Sequence, residues 1–271
     1  TSTDMWGRNT AATSLLAWLV LCSPPAAADA DEATFNIQIE NDLFASDEDR
    51  HYTNGIRLSY LTKATPCEHS KPCLSGILKD LTSFIPAFRH GDSYRISYSL
   101  GQNMYTPSDI SVTELLPNDR PYAGWLYAGL GFVTRNTFAH DDRRDDDRID
   151  NLELNIGIVG PWSGAELAQE SWHKLFGFGK PRGWDNQLRN EPGIVLQYER
   201  IWQFRRDSAL AKGLGLEFAP SLGGAVGNVY THAAAGLRLR LGSNLPEDYG
   251  PPRIRPSLPG SDYFVPKERR L

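Results

Sequence analysis

The chain has 271 residues, with 28 Lys or Arg against 33 Asp or Glu, a net charge of −5 and a pI near 5.7. That acidic balance argues against nucleic acid as a partner, because phosphate binding requires a basic face. Its 7 Trp, 11 Tyr and 24 Gly suit a barrel with aromatic girdles and tight turns.

Residues 1–30 read as a secretory signal. Arg8 is the one positive charge before the apolar run at 15–22, and the small residues at 26–30 supply a cleavage site after Ala28 or Ala30. The run is too short to cross a bilayer as a helix, and no later segment is long and apolar enough. Bulky Leu21 fits poorly before a lipid-anchored Cys22.

Residues 31–243 are expected to form an all-β, antiparallel transmembrane β-barrel. Period-two alternation begins with Phe35, Ile37 and Ile39 against Asn36, Gln38 and Glu40. It continues with Ile56, Leu58 and Tyr60 against Arg57 and Ser59, then Tyr94, Ile96, Tyr98 and Leu100 against Arg95, Ser97 and Ser99. Leu126, Ala128, Leu130 and Phe132 follow, then Leu152, Leu154, Ile156 and Ile158 against Glu153 and Asn155. Later strands are predicted near 193–204, 214–223 and 230–241, the last setting Leu237, Leu239 and Leu241 against Arg238 and Arg240. A soluble sheet can alternate too. Charged residues in the inward set of most strands, together with export, favour the membrane barrel.

The connections are polar. Cys67 and Cys73 can close a small loop disulfide in an oxidising compartment; a metal site with His69 is the rival, short of ligands. The charge run at 139–148 lacks the spacing and central Gly of a calcium hand, so a solvated loop is expected. Residues 244–271 are rich in Pro and Arg, show no alternation, and read as an irregular tail.

Chemistry concentrates at strand ends. Glu40-Asn41-Asp42 closes the first strand and Tyr52-Thr53-Asn54-Gly55 opens the second. In a hairpin, Asp42 and Thr53 approach each other, offering the hard oxygens that calcium takes; an ordinary turn is the plainer alternative. Tyr105, Tyr122 and Trp125 suit interfacial anchors, and Arg120 could meet a lipid phosphate or simply sit in a turn. After Gly160-Pro161 a short amphipathic helix carries Gln169 and His173, four apart and on one face. A neutral imidazole can take a proton from water near pH 7. Ser163 and Glu166 have the form of a capping box, and Ser163 lacks the setting of a nucleophile elbow.

Taken together, Asn41-Asp42, Tyr52-Thr53-Asn54-Gly55, Tyr105-Thr106-Pro107-Ser108, Asn118-Asp119-Arg120-Pro121-Tyr122-Ala123-Gly124 and Gly160-Pro161 followed by Gln169 and His173 resemble the outer-membrane lipid A 3-O-deacylase family. The likeness runs from about residue 34 to about residue 265. It implies a twelve-stranded barrel, a monomer in the bacterial cell outer membrane, that hydrolyses the 3-linked acyloxyacyl ester of lipid A in lipopolysaccharide with calcium. It further implies His173 as base, Gln169 and Asn41 in the catalytic site with Asp42 beside them, and Asp42 and Thr53 on the metal side. About eight strands are legible, and the family's later hairpins are not, so a chain truncated or frameshifted after about Phe264 is expected, with barrel closure open. A non-enzymatic barrel (porin or scaffold) and a phospholipase of the same location are the alternatives.

Overall fold

The computed structural model describes residues 33–41, 51–64, 74–89, 91–141, 144–207, 214–243, 245–250, 254 and 264–265. The signal at 1–30, Asp42, Cys67, His69, Cys73 and most of the tail therefore lie outside the described residues, as do the side chains of Asn41 and Thr53.

Eight strands form one antiparallel sheet in sequence order: β1 Thr34–Asn41, β2 His51–Leu61, β3 Ser93–Thr106, β4 Ala123–Asp141, β5 Arg144–Val159, β6 Glu191–Asp207, β7 Leu214–Gly227 and β8 His232–Ser243. Neighbouring strands pair throughout as a meander, and the sheet curls into a half-barrel. Two helices, α1 Leu74–Thr82 and α2 Pro86–Arg89, lie between β2 and β3, and α3 Ala165–Phe176 lies between β5 and β6.

The alternation read from the sequence holds. Phe35, Ile37, Tyr98, Leu100, Ile156 and Leu239 are exposed on the convex face. Arg57, Ser59, Arg95, Ser97, Glu153 and Arg205 are buried on the concave face, where curling crowds polar side chains together. They satisfy one another: Arg57 bonds Gln38 at 3.1 Å and Glu153 at 3.4 Å, and Ser99 donates to Glu153 at 3.2 Å. Glu217, fully buried, receives Arg205 and Arg238 at 3.0 Å each and is also bonded by Arg240 and Gln203. No helix of the described residues is long and apolar enough to cross a membrane.

Three expectations are corrected. The charge run at 139–148 is not a solvated loop: most of it forms the paired ends of β4 and β5, with Asp146 and Asp147 buried. Arginines from flanking strands make this possible, Arg135 with Asp147 at 2.6 Å and Arg206 with Asp146. Trp125 and Tyr122 are not girdle anchors. Trp125 stacks on Tyr127 at 4.2 Å on the concave side, and Tyr122 packs on Trp184 at 4.8 Å. The tail is also not wholly irregular. Glu247–Asp248 (β9) pairs with Phe264–Val265 (β10), and Tyr249 joins concave-face residues Leu61, Val133, Ile149 and Ile201 in one buried cluster.

Candidate active-site crevice

β5 ends at Val159, and the chain turns sharply at Gly160, whose φ of 97° favours glycine. A side chain there would meet the Arg189 backbone at 2.6 Å. Pro161–Ser163 makes one 3-10 turn, closed by Gly164 at φ 69°. The run Ala-Glu-Leu-Ala-Gln-Glu then supplies strong helix formers for α3. The capping-box expectation fails here. The N-cap is Gly164, without a side-chain cap, because the turn begun by Pro161 has already consumed Ser163. Gly177, φ 75°, ends the helix with its N–H on the His173 carbonyl.

Ala165, Gln169 and His173 are the buried stripe of α3, while Leu167 and Leu175 are 72% and 74% exposed. The exposed face thus mixes Leu167 and Leu175 with Glu166, Ser171 and Lys174, while two polar groups of the helix face the protein. It docks on the convex side of the wall. Met104, in step with exposed Tyr98 and Leu100, is buried together with Tyr122, Ala165 and Trp184. Gly124, opposite Met104, lets the helix start approach; a Cβ there would lie 2.1 Å from Ser163 Oγ and 2.3 Å from Ala165 Cβ. Gln102 fixes the turn by donating to the Ser163 carbonyl at 2.6 Å.

Two polar side chains of this stripe are held by defined partners. His173 Nδ1 lies 2.5 Å from the Gly179 carbonyl oxygen. A carbonyl only accepts, so Nδ1 carries the proton and a neutral ring keeps its lone pair on Nε2. Gln169, 2% exposed, accepts the Trp184 indole N–H at 2.7 Å through Oε1. That bond assigns the amide orientation and leaves Nε2 buried with no partner among the described residues. A buried donor thus lies one helical turn from the imidazole. His173 also borders a cavity of about 460 Å³, with Leu167, Lys174, Phe178 and Lys180.

Around the crevice the loops are tied down. Asp119 accepts from Ser108 Oγ at 2.6 Å and Ser108 N at 2.8 Å, joining two of the motifs singled out above. Ser111 bonds hold the Asp109 carboxyl below the usual carboxylate range. Arg182 N and Asn186 Nδ2 bond the Ile110 and Thr113 carbonyls, locking the segment after α3 onto this loop. Arg120 is exposed on the same loop, its backbone N–H bonded to Asp119; nothing described places it against His173.

Register aligns the remaining candidates. Asn41 pairs with Asn54, Asn54 with Met104, and Met104 with Gly124. Three strand spacings of about 4.8 Å make this row about 14 Å long, and it leads under α3. A bulge between Tyr52 and Asn54 makes Thr53 the extra residue, so simple parity does not fix its face. Asn54 is the residue the sequence left unassigned: it is 4% exposed, and its Oδ1 is buried with no partner among the described residues. An orphan amide oxygen beside the Asn41 position suits a hard cation such as calcium. Among the described residues no three or more His, Cys, Asp or Glu cluster to hold a metal.

A family model described as outer membrane protein LpxR matches residues 15–271. Among solved structures, LpxR from Salmonella typhimurium is similar at a TM-score of 0.57 and 20% identity, over 80% of this chain. The match spans 64% of that chain, and at this identity it speaks for the fold. No curated protein matches.

Proposed function

The chain belongs to the LpxR family of outer membrane proteins, and from that premise we propose that it hydrolyses the 3-linked acyloxyacyl ester of lipid A, with His173 as the base. The observation that carries this is the Nδ1 bond to Gly179, which leaves Nε2 of a neutral ring able to accept a proton from water. Water deprotonated by Nε2 attacks the ester carbonyl. The imidazolium then returns the proton to the departing oxygen, so the two half-reactions use one ring. The orphan Gln169 Nε2 donor orients the attacked carbonyl or the water. The cavity beside His173 has Leu167 and Phe178 on its walls, which offer apolar surface to an acyl chain, and Lys174, which offers positive charge to a phosphate, while Lys180 is paired with Glu170 on the same wall.

Calcium, when bound, supplies positive charge against the developing oxyanion. Asp42, Thr53 and the Asn54 amide oxygen are the residues proposed to hold it, with Asn41 adjacent in register.

The test is mass spectrometry of lipid A from outer membranes carrying the full chain. Loss of one acyloxyacyl unit, two fatty chains leaving together, is expected, and excess chelator should prevent it. Unchanged lipid A with the protein inserted would sink the hydrolase reading. Glycerophospholipid cleavage alone would favour a phospholipase, and conductance indifferent to His173 a passive pore.

Gly124→Ala probes the docking of α3. The Ser163 hydroxyl can rotate away from the new methyl, but the Ala165 methyl is fixed to the helix backbone, 2.3 Å distant. The helix start must shift, and a displacement of about 1 Å costs on the order of a hundredfold in rate. Retained activity in a folded variant would show that α3 is not held by this contact.

A further inference from the structure

At the rim opposite His173, α1 presents apolar residues that the wall does not cover. β2 leaves the sheet at Leu61 and β3 re-enters at Ser93, whereas α3 follows the far ends of β3 and β5. Between them, Leu74, Ile77, Leu81 and Phe84 are exposed, Leu81 to 68% and Phe84 to 79%. At about 100° per residue Leu74, Ile77 and Leu81 form one stripe on α1, and Phe84 stands in the turn that follows the helix. Meanwhile the small and polar Ser75 and Thr82 are the residues of α1 that are buried. Lys79, Asp80 and Ser83 occupy the remaining arc and are exposed. In water this stripe has no reason to face outward.

The surroundings state what covers it. The α1–α2 pair is seated on the convex face: Phe88 stacks on Phe132 at 5.4 Å and meets Tyr198 edge-on at 6.3 Å, and Lys79 lies 4.8 Å over the Tyr94 ring. Toward His173 the same face is an exposed apolar belt through Tyr98, Leu100, Leu154 and Leu196. In the other direction it turns ionic, with fully buried Asp150 held by Arg148 at 2.7 Å and Arg200 at 2.6 Å. From Gln102, which holds the start of the α3 segment, to Tyr94 is eight residues, about 26 Å along the strand. At a strand tilt of about 40° that is about 20 Å along the normal, close to the apolar band of about 25 Å in outer-membrane barrels. The stripe therefore continues the lipid-facing belt at its lower edge.

We propose that α1 and the turn after it form an interfacial anchor, with Leu74, Ile77 and Leu81 of the helix and Phe84 of the turn sunk into the acyl chains of the leaflet opposite the His173 crevice. Its occupant is a phospholipid leaflet. The exposed polar arc with Lys79 stays at headgroup level, as in amphipathic helices that lie in the interface plane. The proposal rests on the lipid A reading only for which leaflet this is.

The test places the photo-crosslinking residue benzoylphenylalanine at single positions of the full chain, reconstituted in phosphatidylethanolamine–phosphatidylglycerol vesicles. After irradiation, intact mass should show phospholipid adducts at least tenfold more abundant from positions 81 and 84 than from position 83. Adducts from position 154, on the belt, but none from 81 and 84, or equal yields at 83, overturn the anchor and leave the hydrolase reading intact. No adduct from 154 either would overturn the membrane seating of the wall, and the anchor with it. Lipid A cleavage measured in the same preparation scores the hydrolase reading separately.

Discussion

On the proposed function, replacing His173 with alanine is expected to lower the rate of lipid A ester cleavage by about 10²–10⁴-fold, the usual worth of a positioned general base. At about 1.4 kcal/mol per decade, this raises the barrier by about 3–6 kcal/mol. The size follows from the geometry. Gly179 fixes the tautomer, so the lone pair is presented without a rotamer search. Among the described residues that line the cavity, His173 is the one imidazole. The fold should survive, since the ring contributes mainly an edge contact with Phe178 and the bond to Gly179. The decisive measurement is initial rate at saturating lipid A in detergent micelles, with circular dichroism as the control for folding. A variant that turns over within about threefold of the parent would remove His173 from the mechanism. Gln169→Leu should fall between the two, because it deletes the orphan donor while keeping the side-chain volume near Trp184.

Glu217→Ala should unfold the sheet long before it touches the chemistry. Glu217 sits between Arg205 and Arg240 in register, with Arg238 on the diagonal, and no part of it reaches solvent. Removing one partner of a buried ionic group leaves the others uncompensated, at a cost of about 3–5 kcal/mol. Here three guanidiniums lose their common carboxylate. Urea unfolding in detergent micelles reads the loss as a lower midpoint with an unchanged slope. Glu170→Ala is the comparison. Its pair with Lys180 at 3.1 Å is largely exposed, and such pairs contribute about 0–1 kcal/mol. Equal effects of the two substitutions would mean that the concave network holds nothing together.

The strands were legible because alternation is a local signal and each face of a wall meets one environment. Phe35, Ile37 and Ile39, or Leu237, Leu239 and Leu241, declare their face without knowledge of any neighbour. Gln169 and His173 were legible for the same reason, since a spacing of four fixes a shared helical face. What escaped depends on partners distant in sequence. Trp184 reaches Gln169 across 15 residues, and Ile254 N–H reaches Glu40 across 214. Asn54 stands in a quoted motif without a role of its own, because its row depends on the register of four strands and on a bulge that no residue type announces. Ser163 misled because the capping pattern is right and the preceding Pro161 overrides it. Trp125 misled because aromatic residues at strand ends serve equally as girdle or filling, and only curvature decides between them.

The docking of α3 on the outside of the wall separates two tasks that a pore would have to share. The interior is occupied by ion pairs and by Tyr249 from the tail segment, and nothing needs to pass through it. On the proposed function, an ester carried by a lipid arrives sideways, already anchored in the plane where it would be cut. Encounter then becomes a search in two dimensions, governed by how many target lipids each square nanometre holds rather than by their dissolved amount. Turnover should consequently track the surface fraction of substrate in the membrane, and diluting the vesicles at fixed composition should leave it unchanged.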